Sequence, residues 1–328
     1  MINIFDIKPN KVTTNLNQYP MILMSETGDG KTTTMNKILN DLAEDGKKPL
    51  FIMFEDRYQH IPDIVAIRVH NMGELNQVKS QLLNPKAKEM FSCVVFDTVD
   101  RMDSLIEKYV ADSKQVEITG DLGFGKGNKY IKSSAQFILE IKNAGWTTHF
   151  ICQAFKNTNI MTQQTVYEPR VNKEIWSIIS QDAYLCGFLK VKTNGDRIIA
   201  FKKTQELASL KNSLGMPNEV AVKDSFKDVL LKAVEEMAGG ELTDEPTISP
   251  VIQDTRNFEE IKARGNALGG ELAEAGFLNE AMFILAKNIG VNEDGSTKMF
   301  DSLIPAQIDL AEIVVQKLEE LKAEKGLA

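Results

Sequence analysis

Residues 21–32 read Met-Ile-Leu-Met-Ser-Glu-Thr-Gly-Asp-Gly-Lys-Thr: four apolar residues, a polar loop with two glycines, then a stretch with helical periodicity. A strand that turns through glycines into a helix aims several backbone N–H groups, and the positive end of the helix dipole, at one point. That point attracts phosphate. The same pattern sets the fold class, because an apolar strand feeding a helix is the unit of an α/β sheet.

The rest of the first 203 residues fits that unit. Apolar runs at 21–24, 50–54, 64–69, 93–96 and 149–152 alternate with helix-like stretches at 32–45, 74–83, 99–111 and 130–143, the pattern of a mainly parallel sheet covered by helices. Residues 183–192 and 197–203, joined by Asn194-Gly195, predict an antiparallel hairpin at the sheet's edge. Paired glycines, two prolines and scattered acids around 237–253 predict a linker, followed by helical periodicity at 258–289 and 308–325. We therefore expect a core over 1–236, a linker over 237–256 and a small helical module over 257–328.

The loop Ser25, Glu26, Thr27, Gly28, Asp29, Gly30, Lys31, Thr32, Thr33 has the strand-to-helix context of a Walker A motif, with Ser25 in place of its first glycine. Gly28 and Gly30 let the backbone wrap a triphosphate. Lys31 is placed to neutralise the β- and γ-phosphates of ATP, and the Thr32 hydroxyl to ligate Mg2+. A second magnesium-orienting group is expected from a neighbouring strand, and Cys-Val-Val-Phe-Asp97-Thr98 delivers one in Asp97. Asp100 is read as a cap on the following helix. Glu55 ends another strand-like run, either as the general base for an attacking water or as a solvated loop acid. Gln153 ends a fourth, as a neutral γ-phosphate sensor or a strand-end hydrogen-bonder.

Of 328 residues, 43% are apolar and 26% charged, as in ordinary globular proteins. No apolar run reaches the roughly 18 to 20 residues that span a bilayer, and the N-terminus lacks a signal-peptide core, so the expected location is the cytoplasm, of a host cell if phage-encoded, with no membrane partner. Cys93, Cys152 and Cys186 show no metal-ligand spacing and read as buried thiols; His60, His70 and His149 show none either. Trp146 and Trp176 read as packing residues, and Met21, Met24 and Met53 as core. From residue 241 onward 17 acids face 8 bases, a charge of −9 within a total of −8, which leaves +1 for residues 1–240. Acidity is confined to the C-terminal third, and a basic face remains open to the rest.

Taken in order, SETGDGKT, FIMFE, CVVFDT, FICQ and Lys211-Asn-Ser-Leu-Gly215 resemble the RecA-like ATPase core, and more closely its phage single-strand-annealing and recombination type, over roughly residues 18–220. The resemblance implies that Glu55 is the catalytic glutamate and that Gln153 couples the γ-phosphate to a DNA-contacting loop. It implies that Lys211 reaches across a subunit interface to a neighbour's ATP, although Ser213 stands where RadA-like relatives carry arginine. It also places two loops against single-stranded DNA: 112–129, with Phe124, Lys126 and Lys129, and 154–173, with Lys156, Arg170 and Lys173. Glycines, lysines and one aromatic suit a backbone-tracking, stacking contact, and equally a solvated loop.

The expected function is a DNA-stimulated, RecA-like ATPase in phage recombination or replication, working on single-stranded DNA as a homo-oligomeric ring or filament. Its acidic module would restrain DNA access or recruit a single-strand-binding or replication protein. Two other readings keep the same loop: a motor or loader that remodels a protein complex, and a nucleotide-gated scaffold.

Overall fold

The computed structural model describes residues 12–43, 46–158, 163–239, 242–243, 257–292, 294–304 and 307–327. In chain order the elements are β1 (Val12–Thr13), β2 (Met21–Ser25), α1 (Lys31–Leu42), β3 (Lys48–Met53), β4 (Val65–Arg68), α2 (Met72–Leu82), α3 (Ala87–Met90), β5 (Phe91–Asp97), α4 (Val99–Lys114), α5 (Lys126–Ser134) and α6 (Phe137–Asn143). They continue with β6 (Thr148–Thr158), β7 (Thr165–Pro169), α7 (Lys173–Gln181), β8 (Leu185–Val191), β9 (Arg197–Ala200), β10 (Lys211–Asn212), β11 (Glu219–Ala221), α8 (Phe226–Ala238), β12 (Leu242–Thr243), α9 (Phe258–Glu274), α10 (Leu278–Asn288) and α11 (Ile308–Glu324). The chain divides into two compact units, one within 8–247 and one within 248–328.

In the first unit a 10-stranded sheet runs β11-β9-β8-β2-β6-β5-β3-β4, with β10 on β8 and β7 on β6. From β8 to β4 every neighbour is parallel. Side chains alternate across the sheet. Ile22, Met24, Ile52, Val94, Phe96 and Phe150 face one core, filled by Leu75, Met102, Ile106, Ile138, Ile141 and Ile179. Leu23, Phe51, Met53, Val95 and Ile151 face the other, filled by Met35, Leu39 and Leu42 of α1 and Leu230 and Val234 of α8. Burial on both faces is why these strands read as continuous apolar runs. The chain thus adopts the expected α/β core with a mainly parallel sheet.

Several details differ from expectation. The β8–β9 pair is antiparallel as predicted but is not the sheet's edge, because β8 lies against β2 and β9 is covered by β11. The helix expected over 130–143 is two helices, α5 and α6, parted near Ala135 and Gln136. Of the loop expected over 154–173, residues 159–162 lie outside the described residues, and Ala154 to Thr158, where β6 runs on past Gln153, pair antiparallel with Pro169 to Thr165. The loop expected over 112–129 is shortened by α4 at one end and α5 at the other, with a 3-10 turn at Thr119–Leu122 between them. The predicted linker begins inside α8, and its Leu242–Thr243 pairs in parallel with Val12–Thr13; its residues 244–256 lie outside the described residues.

The second unit packs α9, α10 and α11 around Leu268, Leu272, Leu285, Phe300, Val314 and Leu318. The expected stretch 258–289 is broken after α9, where Gly276 takes a positive φ of 88°. Gly265 packs flat on the Phe300 ring, and a Cβ there would stand 2.3 Å from a ring carbon. Ile313 of α11 is exposed. Among the described residues no helix is long and apolar enough to cross a membrane.

Candidate functional site

Strand β2 is buried along its whole length and ends at Ser25, so the chain leaves the sheet abruptly. It turns through Gly28 and Gly30, both with φ near +90°, a region that glycine enters at little cost and residues with a Cβ rarely adopt. Gly30 is the N-cap of α1, so Lys31 is the first helical residue. Glu26, Thr27 and Gly28 are exposed on the loop, as is Thr33 on the first turn of α1. The loop therefore presents its backbone, while Lys31 is buried and Thr32 half-buried.

Lys31 is buried, and its Nζ donates to the carbonyls of Glu26 at 2.8 Å and Ser25 at 3.2 Å. Burial lowers its pKa, and Asp29, Asp97 and Asp100 pull it back up. The Thr32 hydroxyl donates to Asp97 Oδ2 at 2.7 Å, a contact 65 residues apart in sequence. Asp97 ends β5 at 1% exposure. Burial pushes its carboxyl up to about 7; the Thr32 hydrogen bond and Lys31 oppose that rise, and the Glu55 and Asp100 carboxylates add to it. A buried carboxylate held up in this way, one hydroxyl away from a phosphate loop, is a donor set that fits a divalent cation.

Strand β6 lies between β2 and β5, with Ser25 in register with Gln153 and Asp97 with Ile151. Gln153 is thereby set beside the loop that follows β2. Glu55 follows β3, whose end is tied to β5 by Phe54 N donating to Asp97 O at 2.8 Å. Its Oε1 accepts from the Thr98 hydroxyl at 3.4 Å and pairs with Arg101 Nε at 3.3 Å. Lys31, Thr32, Asp97, Glu55 and Gln153 thus gather at the C-terminal edge of the parallel strands, where α/β ligand sites form.

Asp100 requires correction. The N-cap of α4 is Thr98, and Asp100, buried one residue inside the helix, accepts the backbone N–H of Gln153 at 3.2 Å. Asp103, one turn on, accepts the N–H of Asn172 at 2.6 Å, and burial pushes its carboxyl up to about 6. Arg170 N in turn donates to Gln153 O at 2.8 Å. Helix α4, which starts beside Asp97, therefore grips both feet of the β6–β7 hairpin.

Lys211 is not at this edge. It pairs with Cys186 near the start of β8, and its Nζ donates to the carbonyls of Gln181 at 3.1 Å and Ser180 at 3.4 Å at the end of α7. Phe124 stands fully exposed between Gly123 and Gly125, both at positive φ. Lys126 and Lys129 are exposed on α5, Lys156 on the hairpin, Arg170 just after β7 and Lys173 at the start of α7. Asn172 Nδ2 donates to Asn128 Oδ1 at 3.2 Å, joining the two expected DNA segments next to Lys129 and Lys173.

Two arginines at the site have no counterpart among the residues singled out from the sequence. Arg101 holds Glu55, and Arg197, at the start of β9, donates from Nε to the Asp29 carbonyl at 2.9 Å. Neither lies in a motif. An arginine one turn into a helix after a conspicuous carboxylate is the only trace Arg101 leaves, and Arg197 leaves none.

A family model described as an AAA domain matches residues 17–212. The SPbeta prophage-derived uncharacterized protein YorG of Bacillus subtilis (strain 168) is 22% identical over 307 residues, covering 88% of this chain and 90% of that protein. Among solved structures, the KaiC-like protein PH0186 from Pyrococcus horikoshii OT3 is similar at 16% identity, over 62% of this chain and 89% of that one, with a TM-score of 0.34.

Proposed function

Because the chain belongs to the AAA-domain family of P-loop nucleotide-binding proteins, we propose that it hydrolyses ATP and couples hydrolysis to single-stranded DNA in phage recombination or replication. The observation that carries the ATPase reading is the 2.7 Å contact between Thr32 and the buried Asp97 beside Lys31. When bound, magnesium would neutralise phosphate charge between Thr32 and Asp97. Lys31 leaves the loop carbonyls for the β- and γ-phosphate oxygens, where its charge counts most. Glu55 accepts a proton from the water that attacks the γ-phosphorus; the bond to the β-phosphate oxygen breaks, releasing ADP and phosphate. Arg101 keeps Glu55 aimed.

Gln153 reports the γ-phosphate to the hairpin that begins at the next residue. The DNA part of the reading is supported by Phe124, Lys126 and Lys129 on one segment and Arg170 and Lys173 on the other, joined by the Asn128–Asn172 bond, with Lys156 out on the hairpin. Exposed lysines and a protruding aromatic suit a sequence-tolerant strand contact. Lys211 lies at the opposite sheet edge from its own phosphate loop, so any contact with a triphosphate requires a second copy of the chain. In a homo-oligomer that copy would be the neighbouring subunit. The prophage origin of YorG is consistent with a phage setting.

ATP turnover measured with and without single-stranded DNA, together with the mass of the assembly with ATP bound, tests the reading. Turnover that rises with DNA, in an oligomer, is expected. Turnover indifferent to DNA removes the DNA role and leaves the ATPase; absent turnover removes both.

A further inference from the structure

The phosphate loop works only if its peptide N–H groups face inward, and a flexible glycine loop does not hold that orientation unaided. In a trans peptide the C=O of one residue and the N–H of the next point in opposite directions. Whatever fixes the Asp29 carbonyl therefore fixes the Gly30 N–H as well. Arg197 Nε donates to that carbonyl at 2.9 Å. Its guanidinium also lies along the loop, since a Cβ built on Gly30 would stand 3.4 Å from Nε and 3.7 Å from Cζ.

The arginine is itself anchored. It opens β9 on the phosphate edge, paired with Val191 of β8, and its carbonyl accepts the N–H of Val222 at 2.9 Å. Val222 in turn accepts at its carbonyl from Lys37 Nζ of α1 at 2.7 Å. The arginine thus reaches the loop from a strand fixed on both sides.

We propose that Arg197 is a positioning residue that locks the Asp29–Gly30 peptide plane, holding the Gly30 N–H toward the bound phosphates. The inference rests on the nucleotide-binding reading above and adds to it a residue far from the motif. It acts on the loop, not on the γ-phosphate, so it serves diphosphate and triphosphate alike.

A glutamine side chain carries an amide N–H at the atom position of the arginine Nε but no charge, which separates the lock from simple attraction between a cation and phosphate. Binding of Mg-ADP and of the non-hydrolysable triphosphate AMP-PNP is measured by calorimetry for wild type, Arg197→Ala, Arg197→Gln and Lys31→Ala. Arg197→Ala is expected to weaken both nucleotides by about tenfold, the order of one hydrogen bond to a charged group, and Arg197→Gln to recover most of that loss. If Arg197→Ala does not fold, Arg197→Met, which has a long stem and no donor, takes its place against Arg197→Gln. The lock is overturned if the alanine variant binds like wild type, if only AMP-PNP is affected, or if glutamine is as weak as alanine. Wild type that binds neither nucleotide, or Lys31→Ala that binds as wild type does, overturns the nucleotide-binding reading and the lock with it. A weakened Lys31→Ala beside a normal Arg197→Ala leaves that reading standing and removes the lock alone.

Discussion

The phosphate edge and the exposed residues of segments 112–129, 154–158 and 163–173 lie on the same unit but are built on opposite terms. At the phosphate edge Lys31, Asp97, Asp100 and Asp103 are buried, and each is bonded to a named partner. In those segments Phe124, Lys126, Lys129, Lys156, Arg170 and Lys173 are exposed. Burial makes a polar group expensive unless its partner is fixed in place, so residues at the first region are specified one by one. Exposure lets charge act through its sum, so residues at the second are interchangeable.

That contrast is open to test. The sharpest is Lys31→Ala, expected to abolish turnover and weaken triphosphate binding by on the order of a hundredfold or more, the size of a charge-assisted interaction in a shielded site, as read by calorimetry. An intact Kd would break the comparison at its strongest point. Next, Glu55→Gln is expected to cut turnover by about 10²- to 10⁴-fold with nucleotide binding little changed, as single-turnover kinetics would show; a parallel loss of binding would reassign Glu55 to structure.

The cost of burial has its own reading in pH. His149 is fully buried at the start of β6, where its Nδ1 accepts the Met21 N–H at 3.2 Å, and burial lowers its pKa from 6.5 to about 3. Below pH 6.5 the unfolded chain takes up a proton that the folded chain refuses, so stability falls as pH drops, by about 1.4 kcal/mol per unit, until the folded ring titrates near 3. Asp97 and Asp103 act in the opposite direction. Their folded pKa values, about 7 and about 6, lie above the usual 3.8, so the folded chain holds more protons than the unfolded one in that window and gains stability as pH falls. Chemical denaturation of wild type against His149→Asn isolates the histidine: the wild-type advantage is expected to shrink below pH 6.5, and a constant difference would show that the ring is not kept neutral.

The smallest effects belong to the exposed surface. Charge removal at Lys126, Lys129 or Lys173, one at a time, is expected to weaken single-stranded DNA binding only severalfold, to lower the salt slope by about 0.7 for each phosphate no longer neutralised, and to leave nucleotide binding alone. A single lysine whose removal abolished binding would show that this surface, too, is specified residue by residue.

The same distinction governs what the sequence disclosed. Strands β2, β3, β5 and the first half of β6 are buried on both faces and read as largely apolar runs; Gly28 and Gly30 occupy backbone conformations that few residues besides glycine share. The β6–β7 hairpin escapes notice because Phe-Lys-Asn-Thr and Thr-Val-Tyr-Glu-Pro carry polar residues on both faces, with no apolar run to mark a strand. The break between α5 and α6 falls in Ser-Ser-Ala-Gln, without glycine or proline to announce it. Asp100 misleads because a carboxylate at a helix start signals a cap whether or not it serves a distant backbone. Arg197 is invisible because its importance comes from β9 lying beside the loop, a matter of sheet order that no local pattern encodes.

Helix α4 holds the hairpin at Gln153 and Asn172, three residues apart on the helix at Asp100 and Asp103. Ends pinned in this way make the intervening excursion almost indifferent to its own length, because doubling a closed loop adds only about 0.6 kcal/mol of closure entropy. A change of length between Thr158 and Thr165 therefore leaves the pinned ends at Gln153 and Asn172 in place, which makes this the part of the unit whose reach can change without disturbing the strand ends that carry Lys31, Thr32 and Asp97.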